Sequence, residues 1–334
     1  MESPPVTRPY FSAKRGREIF WLIFCWAVVL ITTALLLRYW DWTRSMVMTD
    51  YLQQFRTIKP VEYLFQFFTF LGEDEFYMIF FGAIIWCFNK SLGFWTAAVL
   101  LVSGLVSGVT KELFALSRPL MDGKPLLDSY AFPSGHTLTA VTVWGYLAIR
   151  LKNRWFWIWT LVVMVLTPFS RIILGYHYPG DILGGYAMGI PLLLLFAWLS
   201  SLFVLRGWGQ NSSRPLLLTL SLLLPLCLTA LSQANDMAKL MGLLAGAAAG
   251  YIIEQDKVRS EPRTRWYFQV IKIVIGLAVL FGIVIGLKPL LTTDSATLQV
   301  AFYFLRYGLV GVWATLLAPA LFVALRLTPR AAKE

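Results

Sequence analysis

The chain contains only two histidines, and both stand among residues that suit phosphate chemistry. His136 ends the segment PSGH, residues 133–136, and His177 lies in SRIILGYHYPGD, residues 170–181. Asp181 comes four residues after His177, close enough for its carboxylate to hold one imidazole nitrogen protonated. The other nitrogen is then basic and available for nucleophilic attack.

Three cations accompany the histidines. Lys111 and Arg118 are seven residues apart, which predicts that both project from one helix face, and Pro119 is expected to end that helix. Two cations on one face are costly to bury without an anion, although alone they would be explained as side chains that reach lipid headgroups. Arg171 adds a planar guanidinium that can bind two phosphate oxygens at once.

The turn before His136 resembles an anion site. Ser134 is a natural helix N-cap, and Gly135 lets the backbone approach a ligand closely. A helix that starts here offers free amide groups and a favourable dipole to an anion within reach of His136. Pro179, two residues after His177, suits the first turn of another helix.

The apolar content of the chain indicates which elements must hold these residues. Of the 334 residues, 58% are hydrophobic and 14% are charged, whereas soluble domains carry about 25% charged residues. The apolar residues form runs near the roughly 20 residues that a membrane-spanning helix needs. We therefore predict an all-α integral membrane protein. The predicted spans cover residues 19–37, 74–88, 92–116, 136–150, 155–169, 180–205, 215–231, 237–253, 266–287 and 298–325.

Residues 39–71 fit no single span. Tyr39, Trp40 and Trp42 resemble an aromatic belt at a membrane interface, and Val61–Leu71 is typical of a helix that lies along the surface. This segment carries none of the motif residues, so its position relative to the site is left open.

Basic residues are distributed unequally between the two sides of the predicted bundle. Most of the 29 Lys and Arg residues fall in the N-terminal segment and in loops on the same side. The positive-inside rule makes that side cytoplasmic, with both termini, and turns the motif segments outward. The same distribution accounts for the net charge of +11, so no nucleic acid partner is expected.

Small residues recur at four-residue spacing in three spans, which predicts close helix approach. Two of these stripes lie in spans that carry motif residues, where tight packing would hold the site together. The third indicates packing among the C-terminal spans or a homodimer contact. The stripes are Gly104 with Gly108, Gly180 with Gly184, and Gly242 with Gly246 and Gly250.

The three motif segments together resemble the type 2 phosphatidic acid phosphatase (lipid phosphate phosphatase) superfamily. That family's pattern is Lys, six residues, Arg-Pro; then Pro-Ser-Gly-His; then Ser-Arg, five residues, His, three residues, Asp. The resemblance implies a six-helix phosphatase core at residues 1–210, followed by an extension of about four helices at residues 211–334, which it does not cover. The matching positions are Lys111, Arg118, Pro119, Pro133, Ser134, Gly135, His136, Ser170, Arg171, His177 and Asp181.

The resemblance also implies a role for each of these residues. His177 would be the nucleophile, Asp181 would orient it, and His136 would be the general acid and base. Pro119, Pro133 and Ser170 would support the motifs. No carboxylate cluster of the kind that binds Mg²⁺ stands near the segments, so neither metal nor cofactor is expected. The phosphate would be held by Lys111, Arg118, Ser134, Gly135 and Arg171.

The expected function is metal-independent hydrolysis of a phosphomonoester or diphosphate on a membrane lipid, through a phosphohistidine, at the outer face of a bacterial inner membrane. Lipid-to-lipid phosphotransfer, a sugar phosphatase of the glucose-6-phosphatase type and a ten-span transporter are the alternatives. The loop between Pro119 and Pro133, with Lys124 and Asp128, would contact a headgroup or serve as a connector. In the extension, Lys272 and Arg306 fall inside apolar runs and are predicted to reach the membrane surface.

Overall fold

The computed structural model describes residues 15–121, 124–127, 129–207, 212–232 and 234–331. Within these residues the strands are limited to one antiparallel pair, Leu120–Met121 with Lys124–Pro125, and helices dominate the rest. The predicted all-α class is therefore confirmed. The side chain of Lys124 and the whole of Asp128 lie outside what is described, so the expected headgroup contact of that loop has no structural counterpart here.

Fifteen α-helices are found in the described residues, and several continue through a π-helical turn. The π-helical turns cover Ile84–Phe88, Ala140–Trp144, Glu254–Val258, Gly282–Gly286 and Trp313–Leu317. The α-helices are α1 Arg15–Arg38, α2 Trp40–Thr43, α3 Met46–Gln53, α4 Lys59–Phe70, α5 Asp74–Ala83, α6 Lys90–Phe114, α7 Gly135–Thr139, α8 Gly145–Leu151, α9 Arg154–Ile173, α10 Pro179–Leu205, α11 Arg214–Ser232, α12 Asn235–Ile253, α13 Trp266–Phe281, α14 Ala296–Val312 and α15 Ala318–Ala324.

Seven helices of the described chain are long and apolar enough to cross a membrane. They coincide with seven of the predicted spans, whereas the runs at 19–37, 74–88 and 136–150 form helices outside that set, and the total of ten stays a prediction. The seven are Lys90–Phe114, Arg154–Ile173, Pro179–Leu205, Arg214–Ser232, Asn235–Val258, Trp266–Gly286 and Ala296–Ala324.

The end of α6 differs from the prediction. The helix stops at Phe114, and Ala115 adopts a left-handed backbone conformation with φ of 48°. Arg118 therefore lies outside the helix, in the segment before Pro119, where the proline ring disfavours helical geometry. The prediction that Lys111 and Arg118 share one helix face is wrong, because the helix ends before the second cation.

The described chain divides into two compact units. The first comprises the residues up to Tyr77 and Val102–Gly207, and it contains every predicted site residue. The second comprises Met78–Leu101 and the residues from Trp208 onward. The predicted division at residue 210 stays a prediction, and the short segment Met78–Leu101 packs with the extension.

Glycines in the second unit bring α12 and α14 into backbone contact. A side chain at Gly242 would collide with the carbonyl oxygen of Phe304, and one at Gly246 with that of Gly308. The third small-residue stripe therefore packs within the extension. In the first unit, a side chain at Gly184 would strike the Phe132 ring.

Gly108 does not fit the predicted pattern. A Cβ built there meets nothing within 4 Å, so close packing at this position, as expected from the stripe that it forms with Gly104, is wrong. Spacing alone does not show which side of a helix has a neighbour.

Two basic side chains of the second unit are buried, so the prediction that they reach the membrane surface is wrong. Lys272 is fully buried, and its Nζ donates to the carbonyl oxygens of Trp86 at 2.8 Å and Pro262 at 2.6 Å. Arg306 is 5% exposed, and its guanidinium carbon lies 5.1 Å from the Tyr303 ring centre and 5.4 Å from that of Tyr307. Carbonyl oxygens and aromatic faces stabilise these charges inside the unit.

Candidate active site

His177 lies in the turn between α9 and α10 with a different partner at each ring nitrogen. Nδ1 is 3.2 Å from Oδ2 of Asp181, and Nε2 is 3.1 Å from Nη1 of Arg118. Because a guanidinium can only donate, Nε2 must accept, and Nδ1 then carries the proton and donates to Asp181. This is the tautomer that the His–Asp spacing predicts, with the basic nitrogen opposite the carboxylate.

The surroundings of His177 favour its neutral form. The residue is 2% exposed, and burial is the largest cause that lowers the pKa of its imidazole well below the usual histidine range. The positive charges of Arg118, Arg171 and Lys111 lower the pKa further. At neutral pH the ring is therefore uncharged, as nucleophilic attack requires.

The turn that carries His177 is fixed by the end of α9. Backbone amides of Tyr176 and His177 donate to the carbonyl oxygen of Arg171 at 2.9 and 3.1 Å. Gly175 reverses the chain with φ of 84°, a conformation that strongly favours glycine. The motif spacing between Arg171 and His177 thus corresponds to one tight turn.

Asp181 is fully buried and held by several donors. Its Oδ2 accepts from the backbone amide of Tyr178 at 2.9 Å, which caps α10, and its Oδ1 forms an ion pair with Arg44. The backbone amide of Ser134 donates to the carbonyl oxygen of Asp181 at 3.0 Å, which ties the PSGH turn to the start of α10.

Arg44 was not found by the sequence reasoning. Besides its ion pair with Asp181, it donates from Nη2 to the carbonyl oxygen of Ser117 at 2.9 Å. Its guanidinium carbon lies 5.0 Å from the Tyr178 ring centre. It comes from the aromatic segment after α1, where no motif spacing distinguishes it from an ordinary interfacial arginine.

Arg118 ties two loops together beside His177. Nε donates to the carbonyl oxygen of Ser129 at 2.7 Å and Nη2 to its hydroxyl at 2.9 Å, while Nη1 donates to the carbonyl oxygen of Tyr176 at 2.8 Å. The side chain is 5% exposed. It is therefore positioned by its own loop to face the nucleophilic nitrogen.

Arg171 presents a donor that has no partner among the described residues. Nη1 donates to the hydroxyl of Thr69 at 2.6 Å and to Oε1 of Glu73 at 3.3 Å, and the guanidinium carbon lies 3.9 Å from the Tyr176 ring centre. Nε is buried and makes no hydrogen bond there. Since an unpaired buried donor is costly, this N–H suits a phosphate oxygen.

His136 is paired with a carboxylate that the sequence reasoning also missed. Its Nε2 lies 3.2 Å from Oε1 of Glu73, the same oxygen that accepts from Arg171. The pKa of Glu73 is lowered, chiefly by its hydrogen bond to His136 and then by the charge of Arg171. The backbone of Gly72 lies against the His136 ring, where a Cβ would collide with it. No motif spacing joins Glu73 to His136, so only the fold could reveal the pair.

The remaining predicted residues form the frame of the site. Ser134 is fully buried and caps α7 by accepting from the Thr137 amide at 3.4 Å, as predicted. Gly135 is close-packed, since a Cβ there would lie 3.2 Å from Oγ of Ser107. Lys111 stands in the last turn of α6. Pro119, Pro133 and Ser170 are buried, and Ser170 bonds within α9.

These contacts form one connected network. The His177 ring contacts Asp181 and Arg118, and the His177 backbone amide donates to the carbonyl oxygen of Arg171. The Arg171 guanidinium in turn donates to Glu73, which also contacts His136. The chain therefore brings both imidazoles and two of the three motif cations together, although they are distant along the sequence. Their individual chemical roles stay predictions.

Comparison with known proteins connects this arrangement to a family. A model described as the PAP2 superfamily matches residues 92–205, and one described as PAP2 superfamily phosphatase, transmembrane extension, matches residues 238–332. Phosphatidylglycerophosphatase B of Bacillus subtilis is 32% identical over 164 residues, which cover 44% of this chain and 74% of that protein. The chain belongs to the PAP2 superfamily. It is therefore an integral membrane phosphatase of lipid phosphates, as the motifs predict.

The chain is also similar to a second curated phosphatase and to a phosphatase of known structure. The undecaprenyl-diphosphatase of Sulfolobus acidocaldarius is 32% identical over 119 residues, 33% of this chain and 52% of that protein. The crystal structure of a PAP2 type phosphatidylglycerolphosphate phosphatase from Bacillus subtilis aligns with 57% of this chain and 97% of that chain, at 21% identity and a TM-score of 0.38.

The match at residues 238–332 corrects the expectation that the resemblance stops before residue 211. The extension contains none of the phosphatase motif residues, so a search for those motifs could not detect it.

Proposed function

We propose that this PAP2 protein hydrolyses a phosphomonoester or diphosphate on a membrane lipid through a phosphohistidine formed on His177. The observation that carries this proposal is the placement of the His177 ring, with Nδ1 held by Asp181 and Nε2 left as an acceptor. A buried, neutral imidazole with one fixed nitrogen and one basic nitrogen is suited to attack phosphorus.

In the first step, Nε2 of His177 attacks phosphorus in line and the bond from phosphorus to the lipid oxygen breaks. The leaving oxygen takes a proton from His136, so the lipid departs as an alcohol or, from a diphosphate, as a monophosphate. Proton transfer from Nδ1 to Asp181 is not needed, because the carboxylate stabilises the charge that develops on the ring.

In the second step, neutral His136 removes a proton from water, and the resulting hydroxide attacks the phosphohistidine. The N–P bond breaks, inorganic phosphate leaves, and both histidines return to their initial states. His136 therefore acts as an acid in one step and as a base in the next. Glu73, 3.2 Å from its Nε2, stabilises the protonated form.

Charge on the transferring group is balanced by the cations of the site. The buried Nε of Arg171, which has no partner among the described residues, would donate to a phosphoryl oxygen, and Lys111 and Arg118 would supply two further charges. The amide groups at the start of α7, beyond Ser134, add donors at a helix N-terminus. Phosphoryl transfer depends mainly on such positioning and electrostatic stabilisation.

The lipid nature of the substrate is supported by the membrane fold and by the names of the relatives, which are phosphatases of phosphatidylglycerophosphate and undecaprenyl diphosphate. The residues that hold the phosphate do not distinguish one headgroup from another. Phosphate release from purified protein should be compared across phosphatidate, phosphatidylglycerophosphate, a polyprenyl diphosphate, a sphingoid base phosphate and glucose 6-phosphate, all with chelator present.

The phosphoenzyme provides the direct test. A labelled lipid phosphate should transfer its phosphate to the wild-type protein in a bond that survives base and is lost in acid. The His177→Ala variant should show no label and turnover lower by several orders of magnitude, as with other lost nucleophiles. Glu75→Gln, an exposed change in α5, is the control. Wild-type turnover in His177→Ala would reject the nucleophile, and faster release from glucose 6-phosphate than from every lipid would reject the substrate class.

A further inference from the structure

A cavity of about 480 Å³ opens at one end of the second unit, where α13 begins and the chain leaves α15. Its lining combines charged and apolar side chains. Arg263, Arg265, Arg326 and Arg330 supply four guanidiniums. The apolar part of the wall is formed by Phe268, Val323 and Leu327.

The four arginines have only neutral partners within the described part of the chain. Arg263 donates from Nε to the carbonyl oxygen of Phe88 at 3.3 Å, and Arg265 from Nη1 to the hydroxyl of Tyr267 at 2.9 Å. The described ion pairs of this unit are made by other residues: Lys90 with Glu254, Arg214 and Lys257 with Asp256, and Lys239 with Asp236. Four like charges around one cavity repel each other, and a bound anion would offset that repulsion.

The walls of the cavity are held in place by the chain itself. The amide of Glu261 donates to the carbonyl oxygen of Pro329 at 2.9 Å, and the amide of Ala331 donates to that of Arg259 at 2.7 Å. The hydroxyl of Thr328 also bonds to the Glu261 carbonyl oxygen. The last described residues are thus fixed to the loop before α13. Free arginines on mobile loops would not be held around one volume in this way.

Thr264, another residue of the lining, has a hydroxyl oxygen without a partner in the described structure. This oxygen is buried, and Thr264 stands between two of the arginines in the sequence. A hydroxyl beside guanidiniums is a common arrangement for binding phosphate oxygens. The lining of the cavity therefore combines guanidinium groups with apolar side chains.

We propose that this cavity binds the phosphate group of an anionic phospholipid from the cytoplasmic leaflet. The lipid is favoured over a free anion because the apolar wall suits a glycerol backbone and the first acyl carbons. The site also lies at helix ends, where headgroups are located. Basic pockets of this kind between membrane helices attract anionic headgroups. The site lies outside the catalytic unit and does not depend on the proposed reaction.

The test measures lipid retention by the full chain. Native mass spectrometry of purified protein, titrated with phosphatidylglycerol and separately with phosphatidylcholine, should show preferential binding of the anionic lipid. The Arg265→Gln/Arg326→Gln variant should bind phosphatidylglycerol roughly thirtyfold more weakly, since each of the two arginines near a membrane surface contributes about 1 kcal/mol. Arg265→Lys/Arg326→Lys should keep most of the preference.

Two controls make the result specific. Lys152→Gln/Arg154→Gln removes two exposed cations of the first unit and should leave lipid binding unchanged. Turnover of a detergent-dispersed lipid phosphate should be the same in the cavity variant and the wild type, which also shows that the variant is folded. Equal phosphatidylglycerol binding by the variant and the wild type would overturn the proposal. Displacement of the lipid by inorganic phosphate or glycerol 3-phosphate would show that the site takes a free anion instead.

Discussion

The two ring nitrogens of His177 have partners of opposite kinds, an acceptor at Nδ1 and a donor at Nε2. Both partners favour the tautomer with the proton on Nδ1. Asp181 accepts from Nδ1, and Arg118 cannot accept a proton from Nε2. The tautomer is thus fixed from both sides of the ring. A change at either partner should therefore alter the chemistry of His177 without removing the histidine.

Asp181→Asn should lower the turnover number on the order of 10³–10⁴-fold. The amide can donate to Nδ1, which would favour the tautomer with its proton on Nε2, where attack must occur. The substitution also removes the counterion of Arg44. Steady-state kinetics on a lipid phosphate and phosphoenzyme labelling give the measurement. Arg44→Gln, which leaves the carboxylate in place, should cost less, and an equal loss in both variants would contradict the tautomer argument.

Glu73→Gln should move the basic limb of the turnover–pH profile to lower pH. The lowered pKa of Glu73, caused first by its bond to His136, keeps the carboxylate ionised at neutral pH. Burial and the charge of Arg171 lower the pKa of His136, and the ionised carboxylate 3.2 Å from Nε2 opposes that shift by favouring the protonated form, which donates to the leaving group. Without that charge, His136 loses its proton at lower pH and the acid step fails earlier.

The control for Glu73 is Glu75→Gln, two residues along the chain and exposed. It carries the same change in charge but lies on the outer surface of α5. Superimposable pH profiles for Glu73→Gln and the wild type would show that Glu73 has only a structural role.

At the scale of the elements, the extension depends on the contact between α12 and α14. The backbones meet at Gly242 and Gly246, where no side chain has room. Gly246→Ala should therefore force the helices apart and destabilise the protein by about 1–3 kcal/mol, as overpacking does in other interiors. Thermal unfolding in detergent would measure this change. Gly282→Ala, at a position of the same unit with nothing within 4 Å, should have little effect, and equal midpoints for both variants would contradict the packing.

The long helices and the motif residues could be predicted from the sequence, but the partners of the motif residues could not. Apolar runs located the long helices, because burial in lipid requires nearly continuous hydrophobic sequence. The motif residues were found because each lies near the end of such a run. Glu73 and Arg44 were not found, since they reach His136 and Asp181 from 63 and 137 residues away.

Errors in the sequence analysis came from local conformation and from burial. The spacing predicts that Lys111 and Arg118 share one helix face, but the left-handed Ala115 ends the helix between them. Lys272 was assigned to the membrane surface, but carbonyl oxygens of Trp86 and Pro262 offer it partners inside the unit. Neither a single left-handed residue nor a distant carbonyl acceptor leaves a pattern in the sequence.

The distribution of positive charge along the entire chain predicts its orientation in the membrane. The phosphatase motifs are predicted to lie at span ends on the side with fewer basic residues, which the positive-inside rule places outside the cytoplasm. In a cysteine-free background, a membrane-impermeant maleimide should label Leu127→Cys in intact bacterial cells. Lys257→Cys, at the end of the helix Asn235–Val258, should be labelled only after the cells are opened. The reverse pattern would invert the proposed orientation.

The hydrogen bond from Arg118 to Nε2 has a consequence for the order of events in catalysis. Phosphorus must approach His177 along the same lone pair that accepts from the guanidinium, 3.1 Å away. Both cannot use that direction, so Arg118 must exchange its hydrogen bond to Nε2 for one to a phosphoryl oxygen before attack. Arrival of the correct group thus uncovers the reactive atom, and compounds without an anionic phosphoryl oxygen should leave it masked. Histidine-alkylating reagents that lack a phosphate should accordingly react slowly with this ring, although it is uncharged at neutral pH.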